Sequence, residues 1–354
     1  MEGQRVNGGG VGGDAPRPGP RANGGGGGDA PRPELRVNGG GVDGGAPRQE
    51  IRVVADAVEL TRAAAAEVVA ALARRRDPWL SGGAAGAAFG AGRSASTSGP
   101  PPFPSVALAG GSTPRALYRL LADPAAPFRA RVDWQAVHFF WGDERHVPPD
   151  HPDSNYRMAR EAMLDHVQVP AAHVHRIAAE EPDAARAARL YERELIEVFG
   201  LRREAAGGGE GAAGDEDAAG SVSGSGGADA AREWPRFDLV LLGLGEEGHT
   251  ASLFPGSPLL AEDELSRPSA QPLAAAVWVE KLGTWRITLT PPALDHAATV
   301  IFLVSGAAKA PALAAVLEGE RRPELYPAQV VAPLGGRLLW LVDRAAAAQL
   351  RPRS

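Results

Sequence analysis

The sequence predicts an α/β protein: a largely parallel sheet covered by helices on both faces, in a single folded domain. Three observations carry that expectation. Apolar runs of strand length alternate with segments of helical texture along most of the chain. Three of those runs end directly in polar, glycine-rich turns, and in open α/β sheets ligands sit at the carboxyl ends of strands. Two low-complexity tracts account for the glycine surplus. Residues 1–50 hold 17 of the 45 Gly and residues 203–231 hold nine, leaving 19 among the other 275 residues, an ordinary globular proportion.

The first tract, 1–50, carries three loose repeats beginning at Arg5, Arg21 and Arg36, without one aromatic residue. Such units bury too little apolar surface to offset their ordering entropy, so a disordered Gly/Pro-rich tail is expected there. A transit peptide is the lesser alternative, because Asp14, Asp29, Glu34 and Asp43 are out of place in one. The domain is expected over 51–350. Ile51–Val54 reads as a strand and Ala57–Arg76 as a long Ala/Leu/Val-rich helix, followed by a Gly/Ser/Pro loop over 81–104. Ser105–Ala109 is a buried strand, and Pro114 opens a helix to about Leu121. Val137–Trp141 is a strand, Gly142–Ser154 a polar loop, and Asn155–His166 and Ala184–Phe199 are helices. The second tract, 203–231, reads as a surface insertion. Strands are expected at Phe237–Leu242, Ala275–Glu280, Trp285–Thr290, Thr299–Val304 and Leu338–Val342, with helices at Ala307–Leu317 and Arg344–Leu350.

Composition excludes several function classes. There is no cysteine, hence no disulfide, thiolate metal site or cysteine nucleophile. A net charge of −6 argues against nucleic-acid binding, which needs a basic face. No apolar run is long enough to span a membrane, and the N-terminus lacks the apolar core of a secretory signal. A cytoplasmic protein is expected. Of 37 basic residues only Lys281 and Lys309 are lysines.

The three strand-end clusters are the candidate chemistry. Gly110-Gly111-Ser112-Thr113 offers backbone N–H groups, two hydroxyls and the start of a helix, a combination suited to a phosphate. It lacks the lysine of a P-loop. A plain β-to-α turn is the bland alternative. Asp143-Glu144-Arg145 can orient a base and stabilise developing negative charge, or can be a solvated loop in which Ser154 and Asn155 merely cap a helix. Gly243-Leu244-Gly245-Glu246-Glu247-Gly248-His249-Thr250 contains G-x-G-x-x-G. Pro255 and Pro258 follow too soon for the long helix of a dinucleotide site. His249 is the candidate general base near neutral pH. Arg286 and Lys309 are candidate anion ligands, since a lysine in the first turn of a helix opposes the macrodipole unless an anion sits there. Lys281 reads as a surface charge.

LAGGSTP (108–114), WGDERHVPPDHPDSNY (141–156), LLGLGEEGHTASLFPG (241–256), RITLT (286–290) and GAAKAPAL (306–313) together resemble the 6-phosphogluconolactonase family. The five stretches stand in that family's order across about 51–350. The resemblance implies a modified Rossmann-like fold, shared with glucosamine-6-phosphate deaminases, and hydrolysis of 6-phospho-D-glucono-1,5-lactone without metal or organic cofactor. It implies that His249 activates water and that Asp143 orients or tunes it. Arg145 would bind substrate or oxyanion, and Gly110, Gly111, Ser112, Thr113, Arg286 and Lys309 would hold the 6-phosphate. The implied partner is the phosphosugar lactone, with no nucleic acid or membrane, in a monomer or weak homo-oligomer. Two positions depart from the family pattern: Glu247 replaces an aspartate and is given no catalytic part, and Thr284-Trp285 replaces prolines. The alternatives are a deaminase or isomerase of the same fold and a non-catalytic sugar-phosphate sensor.

Overall fold

Ser105–Leu108 are buried without exception, as are Thr299–Val304 and all but the first residue of Arg337–Asp343. Runs apolar on both faces belong in the middle of a sheet covered on both sides. The computed structural model describes residues 35–38, 48–74, 103–202 and 233–351. Among them the strands are β1 Leu35–Asn38, β2 Arg48–Val54, β3 Ser105–Leu108, β4 His138–Trp141, β5 Asp143–Arg145, β6 Leu239–Gly243, β7 Ala274–Val279, β8 Thr284–Leu289, β9 Thr299–Val304 and β10 Arg337–Asp343. The α-helices are α1 Ala57–Ala73, α2 Ser112–Ala122, α3 Asn155–Ala162, α4 Ala184–Phe199, α5 Glu262–Ser266, α6 Pro291–Asp295 and α7 Ala310–Glu318. The sequence-based loop at 81–104 and the insertion at 203–231 lie almost wholly outside the described residues.

Seven strands form one sheet in the order β1-β2-β10-β9-β6-β3-β4, parallel except for the antiparallel β1–β2 pair. The expected α/β architecture, a mostly parallel sheet flanked by helices, is therefore present. From β3 the chain proceeds to β4 on one side, whereas from β6 it proceeds to β9 on the other. The neighbours β3 and β6 thus mark a topological switch point, where the loops leaving two strand ends diverge and open a crevice.

The two strands that head the chain change the sequence-based picture. β1 and the first residues of β2 fall within the stretch expected as tail. The rest of residues 1–47 lies outside the described residues. Glu50 of β2 and Glu67 of α1 each bond both Arg52 and Arg337, at 3.0 and 2.6 Å for Glu50 and 2.9 and 2.5 Å for Glu67. Those two arginines hold both carboxyls below their ordinary range against the opposing effect of burial. The network joins β2, α1 and β10. Helix α1 starts where the Asp56 side chain accepts from the N–H groups of Val58 and Glu59, both at 2.9 Å.

β7 and β8 do not join the main sheet. They pair antiparallel with each other, and β8 pairs with β5, in a separate three-stranded sheet. The polar loop expected from Gly142 therefore begins with a strand. Gly142 is the junction: its N–H donates to the Leu108 carbonyl of β3, and its own carbonyl accepts from Leu289 of β8. Helix lengths also differ. α2 begins at Ser112, with Pro114 tolerated in the first turn because N–H groups there lack intrahelical partners. The expected helix to His166 stops at Ala162 and resumes as a 3-10 turn, and that at 344–350 is one 3-10 turn, Ala346–Gln349. Among the described residues no helix is long and apolar enough to cross a membrane.

Candidate active site

Loops leaving β3, β4, β6 and β9 enclose a cavity of about 210 Å3 at the switch point, lined by Gly110, Gly111, Asp143, Arg145, His249 and Lys309 among others. Six of the sequence-predicted site residues thus line one cavity. Gly110 is required there: a Cβ would lie 1.9 Å from Asn155 Oδ1. Gly111 takes φ +106 at the start of α2, a backbone state that favours glycine. Ser112 and Thr113 form the first turn of α2 and do not line the cavity.

His249 is carried by a tight turn after β6, closed by Gly245 N–H to the His249 carbonyl (2.8 Å) and Gly248 N–H to the Gly245 carbonyl (3.1 Å). Its ring stacks on Phe254 with centroids 4.1 Å apart, and a Cβ on Gly245 would strike Nδ1 at 1.9 Å. The glycines of the G-x-G-x-x-G therefore seat an imidazole; no long helix follows them. Ala251, which also lines the cavity, is held at φ +45, a strained state for a residue with a Cβ.

Nδ1 of His249 lies 3.2 Å from Glu247 Oε2, yet is off-line for a hydrogen bond and buried without one. Nε2 is thus the nitrogen left for a ligand. Burial pushes the proton affinity of His249 down, opposed by Glu247 first and Asp143 next, and supported by Lys309. The net direction favours the neutral imidazole, the form a base requires.

Asp143 does not hydrogen-bond His249. Its Oδ2 accepts from Ser252 Oγ at 2.6 Å and its Oδ1 from Asn155 Nδ2 at 3.4 Å, so it acts on the histidine through space. The carboxylate beside Nδ1 is Glu247, the residue given no part from sequence. Lys281, read as a surface charge, is exposed but donates to Glu247 Oε1 at 2.7 Å. Burial pushes the Glu247 carboxyl up, but the bond from Lys281, a backbone N–H and the facing His249 together bring it down to about 2. Ser252, three residues past His249 in HTAS, carried no signal of its role, because its partner is 109 residues distant.

Glu144 faces away from this chemistry. It is buried and accepts from the N–H groups of Arg145, Asn155 and Tyr156 and from Ser154 Oγ, anchoring the start of α3. Ser154 caps the same helix by accepting from Arg157 N–H at 3.1 Å. The bland capping alternative therefore describes Glu144 and Ser154, while Asp143 and Arg145 reach the cavity.

Arg286 lies outside the cavity wall, paired with Arg145 across β5 and β8. Its Nε is buried without a hydrogen bond, and burial and then the Arg145 charge lower its proton affinity. Two facing guanidiniums suit an anion bound between them. Lys309 comes from the turn that precedes α7 and lies 3.8 Å from Glu246 Oε1.

Residues 100–340 match the family model described as glucosamine-6-phosphate isomerases/6-phosphogluconolactonase. The chain is 40% identical over 248 residues to a 6-phosphogluconolactonase of Synechocystis, covering 70% of this chain and 85% of that one. It is 32% identical to a probable 6-phosphogluconolactonase 3, chloroplastic, of rice, of which it covers 65%. The solved 6-phosphogluconolactonase of Trypanosoma brucei superposes with a TM-score of 0.61 at 28% identity, over 85% of this chain and 98% of that one. A monomeric glucosamine-6-phosphate deaminase, 18% identical with a TM-score of 0.55, shares the fold alone. With a family match over most of its length and relatives at this identity, the chain belongs to the glucosamine-6-phosphate isomerase/6-phosphogluconolactonase family.

Proposed function

We infer that this chain hydrolyses 6-phospho-D-glucono-1,5-lactone to 6-phospho-D-gluconate. The observation that carries the reading is His249, set beside Arg145 and Lys309 in the wall of a strand-end cavity. Its relatives named 6-phosphogluconolactonase give that chemistry its substrate.

In this mechanism His249 Nε2 takes a proton from water as the water oxygen adds to the lactone carbonyl carbon. Arg145 faces the oxyanion that forms. The ring C–O bond breaks as the carbonyl re-forms, and the imidazolium gives its proton to the departing ring oxygen, which becomes a hydroxyl. The water thus supplies the OH of the new acid and the hydrogen of the hydroxyl, and the acid then ionises. Asp143, fixed by Ser252, favours the imidazolium intermediate through space. Gly110, Gly111, Ser112 and Thr113 at the start of α2, with Arg286 and Lys309, receive the 6-phosphate; backbone N–H groups and cations are the partners it needs.

The chemistry requires no metal or organic cofactor. The catalytic unit is assigned to the expected 51–350 extended back to include β1 and all of β2, acting in the cytoplasm as a monomer or weak homo-oligomer, without nucleic-acid or membrane partners. The full chain, given freshly generated lactone, is expected to release acid well above the spontaneous rate and no ammonia from glucosamine 6-phosphate. Ammonia release without lactone hydrolysis overturns the reading in favour of a deaminase; 6-phosphogluconate binding without turnover overturns it in favour of a sensor.

A further inference from the structure

Glu247 stands between an exposed cation and a buried imidazole. One oxygen, Oε1, accepts from the exposed Lys281 at 2.7 Å, and the other, Oε2, lies 3.2 Å from the buried Nδ1 of His249. Lys281 comes from the Glu280–Leu282 turn between β7 and β8, in the second sheet, so the contact joins that sheet to the histidine loop. The loop backbone is already fixed: Gly248 sits at φ +81, where a Cβ would meet Tyr326 at 3.0 Å. What remains free to move is the Glu247 side chain, whose extra methylene over aspartate gives it more rotamers to lose.

We propose that Lys281 is a positioning residue of the hydrolytic site, holding Glu247 so that its second oxygen stays against Nδ1 of His249. The assignment rests on the hydrolytic reading above. A carboxylate at Nδ1 favours the tautomer with the proton there, leaving the Nε2 lone pair for water. When Oε2 swings away, both tautomer preference and ring orientation weaken. The other charges facing His249 are Asp143 from β5 and Lys309 from the turn before α7, itself 3.8 Å from Glu246. Of these groups Glu246 alone feels the Lys281 charge, more weakly than Glu247 does and without a direct bond, so removal of Lys281 acts on His249 chiefly through Glu247.

The test is Lys281→Met in the full chain, with kcat and KM followed against pH and the His249 imidazole titrated by NMR without substrate. The expected result is a roughly tenfold lower kcat, in line with the loss of groups that orient a working histidine. KM stays at its wild-type value, because Lys281 does not line the cavity. The acid limb of the profile and the imidazole titration both move to lower pH, since the carboxylate that favours the imidazolium is no longer held against Nδ1. Lys281→Arg restores most of the activity. A wild-type kcat with an unmoved limb and titration overturns the proposal, as does a raised KM with unchanged kcat, which would make Lys281 a substrate ligand. The NMR titration stands apart from turnover: if the wild-type chain fails to hydrolyse lactone, the functional reading falls, whereas an unmoved imidazole in Lys281→Met defeats the positioning role.

Discussion

Two groups of histidines sit at opposite ends of the same parallel sheet, and their partners differ. At the amino end of β4, His138 Nδ1 meets His175 Nε2 at 2.8 Å, and His175 Nδ1 meets Glu194 Oε1 at 2.7 Å. A carboxylate only accepts, so His175 donates from Nδ1 and accepts at Nε2, and His138 donates to it. His138 is stacked between Phe103 and His173 at 3.8 and 3.9 Å, and His175 lies on Phe140 at 4.5 Å. Every ring nitrogen of His175 is occupied. At the carboxyl end, His249 has one stacking partner, a misaligned carboxylate and an open nitrogen in a cavity. The lesson is that reactivity follows unused hydrogen-bonding capacity beside a cavity, held in place by a satisfied surround. The residue type alone does not mark it, nor does proximity to a carboxylate.

The largest effect comes from exchanging roles between the two ends. His249→Ala should lower kcat by about 10²–10⁴-fold, the usual contribution of a general acid–base group, with a melting temperature near that of the wild type. His175→Ala should do the reverse, costing about 1–3 kcal/mol of stability by leaving His138 and Glu194 unpartnered, while kcat stays near wild type. Steady-state kinetics and denaturant unfolding on both variants check the pair. Retained turnover in His249→Ala would remove the basis of the contrast. A second, smaller effect sharpens the carboxyl end. Arg286→Ala should raise KM by roughly tenfold with little change in kcat, the signature of a lost ligand to a remote phosphate. A drop in kcat at constant KM would move Arg286 to the reacting centre instead.

Much of this division is legible in the sequence alone. The glycine turns after Leu108, Trp141 and Leu242 are local signals, and a strand followed by a polar glycine turn marks the ligand edge wherever the strand is placed. The second sheet was not legible. β5 is three residues long, and its partners at 286–288 lie more than 140 positions away, so periodicity cannot say which sheet receives them. The contact between Glu247 and the exposed Lys281 was hidden for the same reason: it spans 34 positions. Only the resemblance singled out Asp143 over Glu144, because adjacent residues of a strand point to opposite sides and the residues alone do not say which side is the cavity. The histidines at 138, 173 and 175 formed no motif, since their relation depends on 173 and 175 being brought beside β4.

The smallest predicted effect tests the amino end by pH. Burial first, then the charges of His173 and His175, push His138 down to about 4, against about 6.5 in an unfolded chain. Above pH 6.5 it is neutral in both states and contributes no pH dependence. As the pH falls from about 6.5 to about 4, the unfolded chain binds a proton that the folded chain resists, so stability declines through that window. Below the window both states are protonated and the slope from this group ends. His249 and His296, also lowered by burial, add slope of the same sign, and Glu50 and Glu67 add theirs below the ordinary carboxylate range. The informative quantity is therefore the difference between wild type and His138→Phe, which keeps the stack on Phe103 and removes the proton site. The variant should lose less stability than the wild type between pH 7 and pH 5 in urea unfolding, by a modest amount because His138 is only half-buried and solvent screens its charge. Equal losses in the two proteins would mean that the stacked histidine accepts its proton as readily as an exposed one, and the two ends of the sheet would then differ in geometry but not in the cost of charge.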